Sequence, residues 1–245
     1  KTERVPMATT GGLPTVAVRM PSNKIAAALI RAAGGYIAAP SANRSGRPSP
    51  TVAKYVIEDL DGRIEMIIDG GFAAIGLEST IIDLSEGEPM ILRPGYVTQE
   101  KMTQVIGNVD VDRTILDASS KEAPKAPGMK YRHYAPKGNL TIVEGPQEKV
   151  TACINEKLSE GHKQGLKTGV IATDETIEQY QADVKRSLGS RKNEEAIAHH
   201  LFEVLRQMDD EEVQLIFTES FAETGLGQAT MNRLLKAAGH QVISL

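Results

Sequence analysis

The spacing of apolar residues predicts a mixture of helices and strands in the first half of the chain. Apolar positions at helical spacing predict three helices, at 23–33, 51–60 and 99–106. Short apolar runs between polar segments predict strands, at 15–18, 36–39, 64–68, 80–84 and 90–92. Helices and strands follow one another irregularly here, so no simple repeated unit is indicated.

After residue 138 the order becomes regular. Apolar runs predict four strands, at 140–143, 169–172, 214–218 and 241–245. Three helices are predicted between them, at 147–160, 193–208 and 228–238. Alternation of this kind is typical of a domain built on a parallel sheet.

The segment between the two halves marks a domain boundary. All 12 prolines lie at or before Pro146. Residues 118–138 show neither helical nor strand periodicity and carry five basic residues against one acidic residue. An irregular segment of this length is a linker or a functional loop. We therefore predict a catalytic domain at 1–117, a linker or lid at 118–138 and a second domain at 139–245.

Composition narrows the class of protein. A hydrophobic content of 40% and a charged content of 24% are ordinary for a globular protein, and no apolar run is long enough for a membrane span. The single cysteine, Cys153, excludes an intramolecular disulfide and fits a cytoplasmic location. A net charge of −4 argues against a generally basic nucleic-acid binder.

Candidate chemistry concentrates in residues 37–51. A predicted buried strand stops at Pro40 and opens into a loop of hydroxyl, amide and guanidinium groups. Such groups at the end of a strand suit a bound anion, although a polar surface loop has the same composition. Two further arginines, Arg19 and Arg93, also stand where predicted strands end.

Seven motifs together give the chain a family resemblance. In order they are TVAVRMP, IAAPSANRSGRPSPT, IIDGG, GLESTI, LRPG, PGMKYRHYAP and GLGQATMNRLLKAA. With them the chain resembles the threonylcarbamoyl-AMP synthases in their long, two-domain form, over nearly all of its 245 residues. The resemblance implies an α/β protein: an open, twisted, mixed-sheet YrdC-like catalytic domain, incomplete at its N-terminus, and a smaller Rossmann-like parallel α/β domain.

The resemblance also implies the reaction and its participants. L-threonine, bicarbonate and ATP, the last with Mg²⁺, yield threonylcarbamoyl-AMP and pyrophosphate. The product feeds the downstream tRNA threonylcarbamoyl-transferase machinery, which modifies adenosine 37 of tRNA. No membrane partner is expected, and direct tRNA binding is not predicted as the primary role. The family's lysine/arginine pair that contacts the nucleotide has no counterpart here, so we assign no catalytic residue.

The motifs carry site residues over by position. For L-threonine they imply Arg19, the backbone of Ala39, and Ser79. For ATP they imply Thr15, Ser41, Asn43, Ser49, Arg93, Tyr131 and Arg132. A lid over the nucleotide is expected to add Lys130, His133 and Tyr134. No metal ligand is expected among the protein side chains.

Two other functions fit the same fold. One is an RNA- or tRNA-binding module, which salt-dependent tRNA binding without ATP turnover would support. The other is a carbamoyltransferase that handles a carbamoyl-adenylate. Such relatives carry zinc-finger or acylphosphatase modules, and the sequence shows neither signature.

Overall fold

The structure, a computed structural model, describes residues 3–85, 87–112, 134–222 and 224–245. The chain divides into two compact units. The first comprises Lys1–Ser41 and Ser85–Gly87, and the second comprises Ala42–Leu84 and Glu88–Leu245. Both sheets lie in the second unit.

The first unit contains one α-helix, α1 (Lys24–Ala32), among its described residues. The helix begins where predicted because the Asn23 side chain accepts hydrogen bonds from the backbone N–H groups of Ile25 and Ala26, both at 3.0 Å. The predicted strands at 15–18 and 36–39 are wrong. A strand needs a neighbouring strand for its backbone hydrogen bonds, and within the described residues these two runs pair with none.

The second unit opens with two helices and a small mixed sheet. The helices are α2 (Ala53–Leu60) and α3 (Gln99–Ile106), and the strands are β1 (Ile81–Asp83), β2 (Met90–Arg93) and β3 (Asp110–Val111). β1 pairs antiparallel with β2, and β2 pairs parallel with β3. The predicted strand at 64–68 is wrong, because this run forms no strand ladder with the described residues.

The rest of the unit is a five-stranded sheet with three helices. The strands are β4 (Asn139–Glu144), β5 (Thr168–Ala172), β6 (Val184–Ser187), β7 (Leu215–Glu219) and β8 (Val242–Ser244). Their order is β6-β5-β7-β4-β8, and every neighbouring pair is parallel. The helices are α4 (Gln147–Lys163), α5 (Glu194–Asp210) and α6 (Gly225–Ala237). The predicted fold class, a mixed sheet followed by a parallel α/β domain, is confirmed.

Helices cover both faces of the parallel sheet. Successive strand residues point to opposite faces, so Ile142 joins the cluster under α5 and α6, and Val143 joins the cluster under α4. Both side chains are fully buried. Strands buried on both faces read as continuous apolar runs, which is why β4, β5 and β7 were predictable.

Sequence reasoning missed two strands, β3 of the small sheet and β6, which lies at the edge of the five-stranded sheet. β6 is the longer of the two. Its sequence, Val-Lys-Arg-Ser, is mostly polar because an edge strand is less buried than a central one. None of the helices in the described part of the chain has the length and apolar character needed to cross a membrane.

Candidate functional site

The buried ion pair of Arg206 and Asp59 holds the loop Asn43–Ser49 in place. Arg206 of α5 donates from Nε and Nη2 to the carbonyl of Pro48, at 2.9 and 2.6 Å. Its Nη2 also donates to Asp59 of α2 at 2.7 Å, and both side chains are completely buried. A helix residue 158 positions after Pro48 therefore holds the loop in place.

Asp59 gathers further donors from the same loop. Its carboxylate accepts from Arg47 Nη1 at 2.6 Å and from the backbone N–H of Arg44 at 3.2 Å. Burial acts to raise the pKa of Asp59, but the bonds from Arg206 and Arg44 and the nearby guanidinium charges outweigh it and lower the pKa. Arg47 also pairs with Asp209 of α5 at 3.2 Å. The guanidinium group of Arg47 is therefore paired with two carboxylates, those of Asp59 and Asp209.

The two polar residues of the loop that sequence motifs assign to ATP have different surroundings. Ser49 Oγ donates to Glu78 Oε1 at 2.9 Å. Asn43 Nδ2 donates to the carbonyls of Arg44 and Arg47, at 2.9 and 3.3 Å. Asn43 Oδ1 is buried and has no hydrogen-bond partner among the described residues. An unpaired buried acceptor is costly and suits a donor from a ligand.

Glu78 is the centre of a second group, which we call the Glu78 cluster: Ser49, Glu78, Ser79, Arg93 and Arg233. The two arginines are buried, Ser49 and Glu78 are partly buried, and the exposed Ser79 takes part through its backbone carbonyl. Arg233 of α6 donates from Nε to Glu78 Oε2 at 3.0 Å and from Nη1 to the carbonyl of Pro94 at 2.7 Å. Burial acts to raise the pKa of Glu78, but the charges of Arg233 and Arg93 lower it overall. Glu78 is therefore held as a carboxylate.

Strand pairing places Arg93 in this cluster. Arg93 stands opposite Ile81 in the β1–β2 ladder, and its Nε and Nη2 donate to the carbonyl of Ser79 at 3.2 and 2.8 Å. Gly95 follows closely, where a Cβ would lie 2.5 Å from the backbone nitrogen of Thr80. Only glycine permits this approach, which accounts for the Arg-Pro-Gly sequence after β2.

The end of the predicted lid packs against the Asn43–Ser49 loop. Tyr134 is 3% exposed, and its ring lies 5.0 Å from that of Phe202. Burial is the main reason that its pKa rises to about 12. The backbone N–H of Ala135 donates to the carbonyl of Gly46 at 3.0 Å. The other predicted lid and nucleotide residues of this segment lie outside the described residues: Lys130, Tyr131, Arg132 and His133.

The remaining predicted site residues divide between the two units. The second unit brings Ser49, Ser79 and Arg93 together around Glu78. The first unit holds four predicted residues, all exposed: Thr15, Arg19, Ala39 and Ser41. Sequence reasoning missed Glu78, Arg206 and Arg233 as parts of the site. Glu78 stands inside the GLESTI motif, and this was the one available signal for it.

The described residues form no group of three or more His, Cys, Asp or Glu side chains that could hold a metal ion. Asp59 and Glu78, two carboxylates that are bonded to the loop, are each paired with an arginine at 3.0 Å or less. What the arrangement offers is a set of fixed cations and hydroxyls, which suits an anionic substrate.

Comparison with known proteins agrees with this chemistry. Residues 97–239 match the family described as threonylcarbamoyl-AMP synthase, C-terminal domain, and residues 1–95 match the family described as telomere recombination. The chain is 48% identical over 245 residues to the threonylcarbamoyl-AMP synthase of Pyrococcus abyssi, covering 100% of this chain and 70% of that protein. The chain belongs to the threonylcarbamoyl-AMP synthases.

Other threonylcarbamoyl-AMP synthases extend the comparison. The Bacillus subtilis enzyme is 48% identical over 234 residues, which cover 96% of this chain and 66% of the relative. The Schizosaccharomyces pombe enzyme is 38% identical over 240 residues, which cover 94% and 58%. The chain thus spans roughly two thirds of the length of these relatives. The family consists of nucleotidyltransferases of tRNA modification, not carbamoyltransferases.

A solved synthase structure has the same fold. The crystal structure of Pyrococcus abyssi Sua5 complexed with L-threonine matches all of this chain and 70% of that one, with a TM-score of 0.91 and 48% identity. The two-domain form predicted from the motifs is therefore confirmed for the family to which the chain belongs.

Proposed function

We propose that this chain forms the larger part of an L-threonylcarbamoyladenylate synthase. The reaction joins L-threonine, bicarbonate and ATP and releases pyrophosphate, and its product serves the N6-threonylcarbamoyl modification of tRNA. The observation that carries the proposal is the Glu78 cluster, in which motif residues Ser49, Ser79 and Arg93 converge. The L-threonine bound in the Pyrococcus abyssi relative supports the choice of amino acid.

The residue roles follow from the charge of each substrate. Arg19 suits the threonine carboxylate because a guanidinium binds it through two parallel hydrogen bonds. The backbone of Ala39 and the Ser79 side chain are also proposed as contacts of L-threonine. Thr15, Ser41 and Ser49 supply hydroxyl groups toward ATP, and Arg93 supplies a fixed cation. Tyr131 and Arg132 are proposed to close over the nucleotide.

Mg²⁺ is proposed to accompany ATP. The residues present fit a metal held mainly by phosphate oxygens and water, as is usual for Mg²⁺. The unpaired Asn43 Oδ1 could accept a hydrogen bond from a metal-bound water. The ion would neutralise phosphate charge, and the side chains described above would position the nucleotide.

The proposed chemistry needs positioning more than a protein nucleophile. The threonine amine first gains a carboxyl group from bicarbonate, with loss of water. One oxygen of that carbamate then attacks the α-phosphorus, and the bond to the pyrophosphate oxygen breaks. Cations held in place before the reaction stabilise the charge that develops on phosphate oxygens. Arg93, whose guanidinium is fixed by the Ser79 carbonyl, is suited to this role.

We also propose the domain organisation stated above: a catalytic domain at 1–117, a linker or lid at 118–138, and a Rossmann-like domain at 139–245. The first strand of the parallel sheet begins at Asn139, which supports the last boundary. A single, free Cys153 supports a cytoplasmic setting for the reaction.

Pyrophosphate release tests the proposal. The full-length protein that contains this chain is incubated with Mg²⁺-ATP, L-threonine and bicarbonate, and each substrate is omitted in turn. We expect release to require all three. Salt-dependent tRNA binding together with no threonine-dependent release would overturn the proposal in favour of an RNA-binding module.

A further inference from the structure

Lys236 is a buried cation that no part of the mechanism above uses. It lies on α6, one helical turn after Arg233, and is 6% exposed. Its Nζ is buried and has no hydrogen-bond partner among the described residues. Lysines are almost never fully buried unless paired, so this ammonium group requires an explanation.

The charges around Lys236 are unbalanced. Among the described residues, Arg233 and Arg93 repel its ammonium group and Glu78 attracts it. Burial is the larger influence, and together these effects lower the pKa of Lys236 to about 8. Tyr134, which lies near Glu78 and the two arginines, has a raised pKa and contributes no charge. In the part of the chain that the structure describes, three cations therefore share one carboxylate.

Arg233 is also incompletely satisfied. Its Nε and Nη1 are bonded to Glu78 and to the Pro94 carbonyl, but its Nη2 is buried and has no partner among the described residues. Two buried donors, one from each of two successive turns of α6, thus remain without acceptors in the part of the chain that the structure describes. Buried donors are normally satisfied, and those that are not mark ligand sites in many proteins.

We propose that Lys236 and Arg233 form an anion subsite, contributed by α6, that holds the β- and γ-phosphates of ATP and the pyrophosphate formed from them. A polyphosphate supplies several acceptor oxygens and the negative charge that the cluster lacks. Arg93, already proposed to face ATP, links this subsite to the reacting phosphorus. The inference rests on the proposed function, and it gives the C-terminal part of the chain a direct role in binding.

Titration calorimetry with three ligands tests the subsite in the full-length protein. Lys236→Met removes the charge and keeps the length of the side chain. We expect it to weaken binding of inorganic pyrophosphate and of ATP by about tenfold to a hundredfold, the usual worth of a charge-assisted hydrogen bond. Binding of AMP, which lacks the two outer phosphates, and of L-threonine should change less than twofold. Lys149→Met, at an exposed lysine of α4, is the matched control.

Proton uptake gives a second readout. An anion beside Lys236 favours the charged ammonium, so pyrophosphate binding near pH 8.5 should draw more protons into the wild type than into Lys236→Met, by up to roughly three quarters of a proton. The difference is measured from binding enthalpies in buffers of different ionisation enthalpy. If Lys236→Met proves poorly folded, Lys236→Gln takes its place.

Three results would overturn the subsite: no pyrophosphate binding by the wild type, equal pyrophosphate affinity in wild type and variant, or an equal loss for AMP and pyrophosphate. These are distinct from failure of the proposed function. A wild-type protein that binds pyrophosphate through Lys236 but shows no threonine-dependent turnover would retain the subsite and refute the synthase. A wild-type protein that shows threonine-dependent turnover, together with unchanged pyrophosphate binding in Lys236→Met, would support the synthase and refute the subsite.

Discussion

Breaking the buried pair of Arg206 and Asp59 should both destabilise the protein and impair the Asn43–Ser49 loop. Arg206 donates twice to the Pro48 carbonyl and once to each oxygen of Asp59. Replacing it with Met retains the apolar stem and removes every one of these donors. Because both side chains are completely buried, water cannot substitute for the lost partner.

The expected cost can be bounded from the remaining contacts. Removing one member of a buried ion pair typically costs about 3–5 kcal/mol. Asp59 would keep its hydrogen bonds from Arg47 Nη1 at 2.6 Å and from the Arg44 N–H at 3.2 Å. The cost of leaving its carboxylate without Arg206 should therefore lie at the lower end of this range. The Pro48 carbonyl would lose both donors. We therefore expect Arg206→Met to lower the free energy of unfolding by about 3–4 kcal/mol and the melting temperature by about 10 °C.

Urea denaturation of the full-length protein measures this loss, and pyrophosphate release measures its effect on turnover. The control is Arg186→Met, which removes an ion pair to Glu211 whose side chains are 32% and 44% exposed, and which should cost less than about 1 kcal/mol. A cost for Arg206→Met no greater than that of the control would refute the argument. So would normal turnover in a clearly destabilised variant, because the loop would then not depend on Arg206.

Three further predictions concern Arg19, the segment 128–133 and Lys236. Arg19→Ala should weaken threonine binding by on the order of 2–4 kcal/mol and ATP binding much less, and equal losses in calorimetry would move Arg19 out of the threonine site. Replacing residues 128–133 with a Gly/Ser segment, keeping Tyr134, should preserve the melting temperature and sharply lower turnover, and unchanged turnover would leave only a tether. Because folding lowers the pKa of Lys236 to about 8, the unfolded protein binds more protons than the folded protein above that pH. Wild-type stability, measured by urea denaturation, should therefore rise from pH 8 to about 10.5 by on the order of 3 kcal/mol relative to Lys236→Met, and parallel curves would contradict the shift.

Local signals made the helices and the buried strands predictable. Helix α3 has the predicted bounds, 99–106, because Thr98 caps its first turn and Gly107 ends it. Strands β4, β5 and β7 were found because both faces are buried. The predicted strands at 15–18 and 36–39 failed for a physical reason. Their apolar pattern is local, whereas strand formation depends on a partner elsewhere in the chain, and Val18 and Tyr36 are each 87% exposed.

The candidate site shows the same division between local and distant information. The motifs identified Ser49, Ser79 and Arg93, because hydroxyl and guanidinium groups at strand ends are a local pattern. They could not reveal that Glu78 pairs with Arg233, since 155 positions separate the two residues. From sequence alone, an arginine on an amphipathic helix is normally predicted to be exposed to solvent. The structure shows instead that Arg206 and Arg233 are fully buried.

These two arginines indicate a role for the C-terminal part of the chain, in which we recognise no catalytic motif. Arg206 and Arg233 neutralise Asp59 and Glu78, which lie beside the Asn43–Ser49 loop and the Ser79 turn. Without α5 and α6, Glu78 would lose Arg233, and Asp59 would keep only its loop partners, Arg44 and Arg47, among the described residues. Both carboxylates would then be less well neutralised next to residues proposed to bind ATP, and they would repel its phosphates more strongly. The two helices supply each of these carboxylates with a fully buried partner of opposite sign. The C-terminal part therefore acts as an electrostatic complement of the catalytic loops, and the site cannot be understood as the property of the first 117 residues alone.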